Sequence, residues 1–201
     1  LDADTGLPLD ALNGIQNTDY AGYMDNLTYG DLIMSGVRIP PYYGAVRNTL
    51  AWGNLSLNFN ITWKAGYVFR RKSVNYSQMF NSGEMHADFL ERWQHPGDES
   101  RTDIPAMPVD INASRDYVFL NSEYLVESGN HIRLQDAQLS YLLDSRSLLK
   151  GNAPVKSVRV SVYANNIGML WQQSKSGLDP DYPNASYPNP RTLAIGLQAK
   201  F

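Results

Sequence analysis

Three histidines, His86, His95 and His131, are the side chains best suited to proton transfer or metal ligation. No two of them have a metal-site spacing such as His-Glu-x-x-His, and the sequence has no Cys to complete a thiolate site. They read as polar side chains of loops and strand ends. "DADTG" at Asp2–Gly6 begins like a calcium loop, but lacks the later Glu that closes one, and reads as a turn. "DPDYP" at Asp179–Pro183 brings two carboxylates close in sequence, a pairing able to hold a cation or a sugar hydroxyl. Asp before Pro also starts turns, so a loop-structural role is the better reading. Glu84, Glu91, Asp98 and Glu99 are scattered acids. Glycoside hydrolysis needs two carboxylates at a set separation, and solvated loop charge explains these four more simply. There is no Gly-x-Ser-x-Gly, phosphate loop or dinucleotide fingerprint. The expectation is a protein that is not an enzyme, with no cofactor and no metal.

Binding is better represented. Trp93, Trp171, Tyr182 and Tyr187 fall in two long polar connections. Flat aromatic faces suit sugar rings and peptide side chains, and they also anchor protein interfaces. With Asp179 and Asp181 they are the candidate contacts to a substrate or to a protein that covers it.

The elements that position them follow from alternation. In "LSLNFNITWKAGYVF", Leu55, Leu57, Phe59, Ile61, Trp63, Ala65, Tyr67 and Phe69 take the odd places, and Ser, Asn, Thr, Lys and Gly fill most of the even ones. That predicts a strand over 55–69, well beyond the usual length of about 5–6 residues. Further strands are predicted at 43–52, 131–143, 156–170 and 191–201. Gly53-Asn54 makes a tight turn between the first two. Connections then alternate long (70–130), short (around Gly151 and Pro154) and long (171–190), as in an up-and-down wall with turns on one side and loops on the other. Aromatics gather at both ends: Trp52, Tyr141 and Phe201 near the turns, Phe69 and Trp171 near the loops. "EMHADFLERWQ" predicts one loop helix, with Met85, Phe89 and Trp93 on one face and Pro96-Gly97 ending it. Residues 1–42 show no periodicity and read as loop.

Composition narrows the class. A net charge of -3 gives no basic face for nucleic acid. No window reaches the roughly 18 apolar residues of a membrane helix. A mean hydropathy of -0.38 fits a soluble protein and a membrane barrel equally, because barrel strands alternate apolar-out and polar-in. Two architectures satisfy the alternation: a soluble β-sandwich that binds glycans, and a transmembrane β-barrel wall. Five strands cannot close a barrel, since about 8 are the minimum in single-chain outer-membrane barrels, and open edges in hydrocarbon would strand backbone polar groups. The barrel reading therefore expects the remaining strands elsewhere. The start Leu1-Asp2-Ala3-Asp4, without Met or a signal peptide, reads as a mature chain or a piece of a longer one.

"IPPYYGAVRNTLAWGNLSLNFNITWKAGYVFRR", "HADFLERWQHPGDE", "RDYVFLNSEYLVESGNHIRLQDAQLSYLL", "VRVSVYANNIGMLW", "GLDPDY" and "YPNPRTLAIGLQAKF" occur in that order over most of residues 30–201. In them the chain resembles the C-terminal part of SusC/RagA-type TonB-linked outer-membrane transporters. The resemblance implies an all-β, antiparallel, up-and-down wall: the last five or so strands of a barrel of about 22, with long extracellular loops. Residues 1–42 would be an extracellular loop region leading into barrel strands within 43–201. It implies import of oligosaccharides or peptides across the outer membrane of a Gram-negative, Bacteroidota-like cell. The implied partners are the rest of the barrel and its plug, a SusD-like lipoprotein lid, the TonB complex acting through the plug, outer-membrane lipid and the barrel assembly machinery, in a dimer of heterodimers. Gly196, Ala199 and Phe201 match a terminal assembly signal, although its middle place ordinarily carries a larger apolar or aromatic residue than Ala199.

Overall fold

The computed structural model describes residues 1–8, 19–144, 155–185 and 187–201. The short connection around Gly151 and Pro154 lies outside them. The chain divides into two compact units: Leu1–Gly36 with Arg70–Glu127, and Val37–Phe69 with Ser128–Phe201.

The strands are β1 (Tyr42–Trp52), β2 (Leu55–Ala65), β3 (Val68–Arg70), β4 (Val126–Ser128), β5 (His131–Asp144), β6 (Ser157–Gln172) and β7 (Thr192–Lys200). β1, β2, β5, β6 and β7 form one antiparallel sheet in that order; β3 and β4 pair as a separate ribbon. Each long strand therefore lies beside the long strand nearest to it in sequence, joined by a tight turn at Gly53 (φ +57) between β1 and β2.

The register makes the sheet two-faced. Paired residues project from the same face. Val46, Ile61 and Leu134 share one row. Leu50, Leu57, Leu139, Val162 and Ile195 share another. Apart from Asn48, opposite Phe59, this face is apolar through all five strands. The other face carries Arg47, Asn58, Asn60, Lys64, His131, Arg133, Asp136, Gln138, Arg159 and Gln198. Asn60 donates to Asp136 at 3.0 Å across that face.

β5 holds this division by a bulge. Its apolar residues stand at 132 and 134, then at 137, 139, 141 and 143, so their parity switches. The ladder skips Gln135: Asn60 faces Asp136 and Ile61 faces Leu134. One inserted residue returns the apolar set to one face.

Several sequence expectations are corrected here. β2 stops at Ala65, because Gly66 takes a left-handed φ of +80 and the chain leaves the sheet. Its alternation carries on into β3, where Phe69 is buried rather than set at a strand end among exposed aromatics. The loop helix over "EMHADFLERWQ" is only a 3-10 turn, Ala87–Glu91. The α-helices are α1 (Tyr20–Asn26), α2 (Tyr76–Ser82) and α3 (Ala113–Leu120). α1 lies inside the segment read as loop. All three begin at a side-chain cap that periodicity does not reveal: Asp19, Asn75 and Asn112 each accept a first-turn amide.

The first unit has its own core of Val74, Tyr76, Ile104, Phe119 and Leu125. Asp116 of α3 is buried and accepts from the amide and hydroxyl of Ser77 in α2, at 2.6 and 2.7 Å. The Tyr76 hydroxyl donates to Pro105 O at 2.6 Å, and burial pushes its pKa up to about 12. Burial likewise lowers the pKa of Arg115, which donates to Ala106 O.

Leu125→Ala removes a side chain only 1% exposed at the centre of this core. It should loosen the first unit by about 2–5 kcal/mol. Hydrogen exchange should speed up across residues 74–125 and stay unchanged in β5 and β6.

Candidate functional site

At the end of the sheet where β2 finishes and β5 begins, the polar face carries a cluster of charges. Lys64 and His131 are cross-strand partners there, and Arg133 follows on the same face. His131 is 1% exposed and Arg133 4%. Buried polar and charged side chains need partners, and these come from the connection between β6 and β7. Asp181 lies 2.6 Å from Lys64 Nζ, 3.4 Å from His131 Nε2 and 3.5 Å from Arg133 Nη2. Asp179 pairs with Arg133 through the same Nη2. Arg133 Nη1 donates to Asn166 Oδ1 at 2.8 Å. Asn166 takes a left-handed φ of +52 and donates through Nδ2 to Asn189 O at 2.8 Å. The connection is thus held at its middle and again near its return to β7.

Local geometry fits the loop to this task. Asp181 N donates to Asp179 Oδ1 at 3.0 Å and Tyr182 N to Asp179 O at 2.9 Å, the turn that Asp-Pro starts. Behind the cluster, the Tyr67 hydroxyl is 3.3 Å from His131 Nδ1, which also lies 2.8 Å from Gly129 O. A Cβ on Gly129 would meet the Tyr67 ring at 2.3 Å, so only glycine fits. Burial, then the charges of Asp181 and Asp179, push the Tyr67 pKa up to about 12. Burial alone would raise Asp181; hydrogen bonds from His131 and Lys64 and their charges outweigh it, holding its pKa well below the ordinary carboxylate range.

The remaining candidates separate. Trp93 is buried: its indole lies where a Cβ of Gly6 would fall, and Nε1 donates to Glu99 at 3.2 Å. Its ring is enclosed by loop packing and is not offered to a ligand. Trp171 belongs to β6, not to a loop, and sits on the apolar face opposite Ile132. Tyr182 (49% exposed) and Tyr187 (84%) do lie open on the β6–β7 connection. Gly196 packs against Ser161 on the polar face, Ala199 pairs with Val158 on the apolar one, and Phe201 is exposed just beyond β7.

Among the acids, Asp98 accepts from Arg101, Gln94 N and His95 N, which brings its pKa down to about 2, and Glu99 accepts from Gly97 N. Asp2 Oδ1 accepts from Thr5 N and Oγ1 at 2.8 and 2.6 Å, the turn read in "DADTG". Asp179 and Asp181 do approach one guanidinium as a carboxylate pair. A hydrolase needs a protonated general acid, a role that Asp181, held below the ordinary carboxylate range, does not fit. Among the described residues no group of three His, Asp or Glu side chains could hold a metal ion.

Lys64, His131, Arg133 and Asn166 escape a reading by motif. The available signal was cationic residues at the ends of polar strand faces, without any sign of which loop would meet them.

No family model matches the chain. Over 189 residues, 85% of this chain, it is 30% identical to TonB-dependent receptor P26 of Formosa agariphila, and the match spans 18% of that protein. The chain is a homologue of a TonB-dependent receptor. Solved structures agree in fold. The whole chain superposes on 21% of a chain of the RagAB peptide transporter, with a TM-score of 0.66 at 21% identity. Against the RagAB peptide importer in its "open-open" and "closed-closed" states it scores 0.63 and 0.62, covering 21% and 22% of those chains at 20% and 21% identity. The chain spans about a fifth of the length of the TonB-dependent receptor and importer chains it matches.

The Asp181 shift sets a pH dependence. A carboxylate with a depressed native pKa adds stability that is complete above its unfolded pKa of about 3.9. That stability is lost as pH falls through the native value. The Asp181 and Tyr182 amides, measured by hydrogen exchange corrected for intrinsic rates, should stay protected at pH 4 and lose protection at lower pH.

Proposed function

We propose that this chain supplies five wall strands and the adjoining outer loops of a TonB-dependent importer in the outer membrane of a Gram-negative, Bacteroidota-like cell. The carrying observation is the sheet with one continuous apolar face left open. Leu193, Ile195 and Leu197 are 71–78% exposed, and Val46 and Trp52 56% and 62%. A soluble sandwich would bury such a face under a second sheet; hydrocarbon covers it without one.

Dimensions support the same reading. The strands run 9 to 16 residues, and about 9–11 cross a bilayer. Trp63 and Trp171 share a row across Ile132, and Trp52, Leu55 and Tyr141 share another. From Leu55 to Trp63 is about 27 Å of strand at ~3.4 Å per residue. Tilted by about 40°, that spans roughly 20 Å, near the ~25 Å apolar band of outer-membrane barrels between aromatic girdles. Trp63 takes the loop-side place first given to Phe69.

In this reading the polar face lines the lumen of a barrel of about 22 strands, closed by strands outside this chain. The plug and the TonB contact also lie outside it. A SusD-like lipoprotein is the partner over the loops, and the pair doubles into a dimer of heterodimers. Phe201, with Gly196 and Ala199, serves as interfacial anchor and signal for the barrel assembly machinery. The cargo is an oligosaccharide or a peptide; the importers of like fold carry peptides, so peptides are the first class to test.

The full-length protein should take up a labelled tryptic casein digest only in cells with an intact TonB complex. Equal uptake without TonB would overturn the reading. Ile61→Arg, mid-strand on the apolar face, should cost about 2–4 kcal/mol in vesicle unfolding experiments. Asn60→Arg, beside Asp136 on the polar face, should cost clearly less.

A further inference from the structure

The charge cluster shows which way the β6–β7 connection folds. Lys64, His131 and Arg133 all project from the polar face of the sheet. Asp179 and Asp181 meet them there, so the connection bends across the polar face and away from the apolar one. The Asn166 link to Asn189 O ties the returning segment to the same side. Between these ties lie Tyr182 and Tyr187, both open to solvent.

We propose that the β6–β7 connection is a fixed inward-folded loop that lines the transport passage, with Tyr182 and Tyr187 facing the solute and Lys64, His131, Arg133 and Asn166 as its positioning residues. This rests on the barrel reading, in which the polar face is the lumen. The chemistry points to a fixed loop. Two carboxylates meet two cations and a histidine at the edge of a buried site, and removing any partner leaves desolvated charge behind. Asn166 tolerates its left-handed backbone better than most side chains would. The tyrosines offer flat faces and hydroxyls on a loop whose ordering is settled before a solute arrives, which favours affinity. Peptide side chains and sugar rings both suit such faces.

The test uses the full-length transporter with its lipoprotein. Lys64→Met is the main variant, because the Lys64 side chain is more exposed than those of His131 and Arg133. Arg133→Met accompanies it, and Lys64→Arg is the conservative control. In detergent, Lys64→Met should speed exchange of the Asp181, Tyr182 and Ala185 amides about tenfold or more, with β5 and β6 unchanged. In cells, with size-fractionated casein peptides and maltodextrins as probes, its half-saturation concentration should rise about tenfold. Maximal rate per barrel should hold, and Lys64→Arg should restore the wild-type value. Unchanged exchange in Lys64→Met overturns the proposal, as does faster exchange with an unchanged half-saturation. Loss of lipoprotein co-purification alone would make the loop a lid contact and also overturn it. If wild type imports neither probe, the proposed function falls and the exchange result alone decides whether the loop is pinned. Where Arg133→Met fails to assemble, Lys64→Met carries the test.

Discussion

A sheet with one apolar and one polar face tolerates no slip. Moving one strand by one residue would turn all its apolar side chains to the wrong face. The structure meets this constraint in β5, where the apolar positions change parity and one bulged residue, Gln135, absorbs the change. β6 makes a matching adjustment. Its partners shift from Ala164 opposite Ala137 to Gly168 opposite Leu134, across the left-handed Asn166. Both irregularities lie toward the loop side of the sheet. Asn166, left-handed at that irregularity, is also the residue that reaches Arg133 and the returning loop. The device that keeps the faces apart thus also creates an attachment point on the polar one.

The charge cluster follows from the same division. Lys64, His131 and Arg133 sit on a face that cannot bury them against hydrocarbon and does not pack them against a second sheet. Two carboxylates from one short turn compensate them. Desolvation opposes ionisation of Asp181, and the adjacent donors outweigh it. Buried ion pairs add little net stability but are costly to break singly. Their effect here is directional: they select one loop path among many, which non-directional apolar packing at an open rim would not.

Much of the sheet was legible because period-two alternation is a direct record of two environments. β2 and β7 announce themselves in Leu55 to Trp63 and in Leu193 to Leu197. What failed did so for local reasons. Alternation past Ala65 continues through Gly66, whose positive φ ends the strand while Tyr67 and Phe69 keep the rhythm. The four-residue spacing of Met85, Phe89 and Trp93 resembled a helix face, yet Phe89 and Trp93 are held by separate packing and by a 3-10 turn. The helices at Tyr20, Tyr76 and Ala113 are seven or eight residues long, too short to display a period, and rest on Asx caps and on the Asp116–Ser77 tie. The site was half legible. Asp179, Asp181, Tyr182 and Tyr187 stand out by composition, whereas their cationic partners belong to distant strands and meet them only through the fold.

The edges of the sheet carry the last step. Among the described residues, β1 and β7 each have one unpaired side. In water such edges attract other strands; in hydrocarbon each unpaired amide and carbonyl is a large penalty that only pairing removes. An apolar face that favours lipid and edges that forbid it are compatible in one arrangement, with further strands bonded to both. The homologous receptor is more than five times the length of the matched segment, so chain enough for those strands exists there. The loop charges gather on the face that such a wall would turn away from lipid.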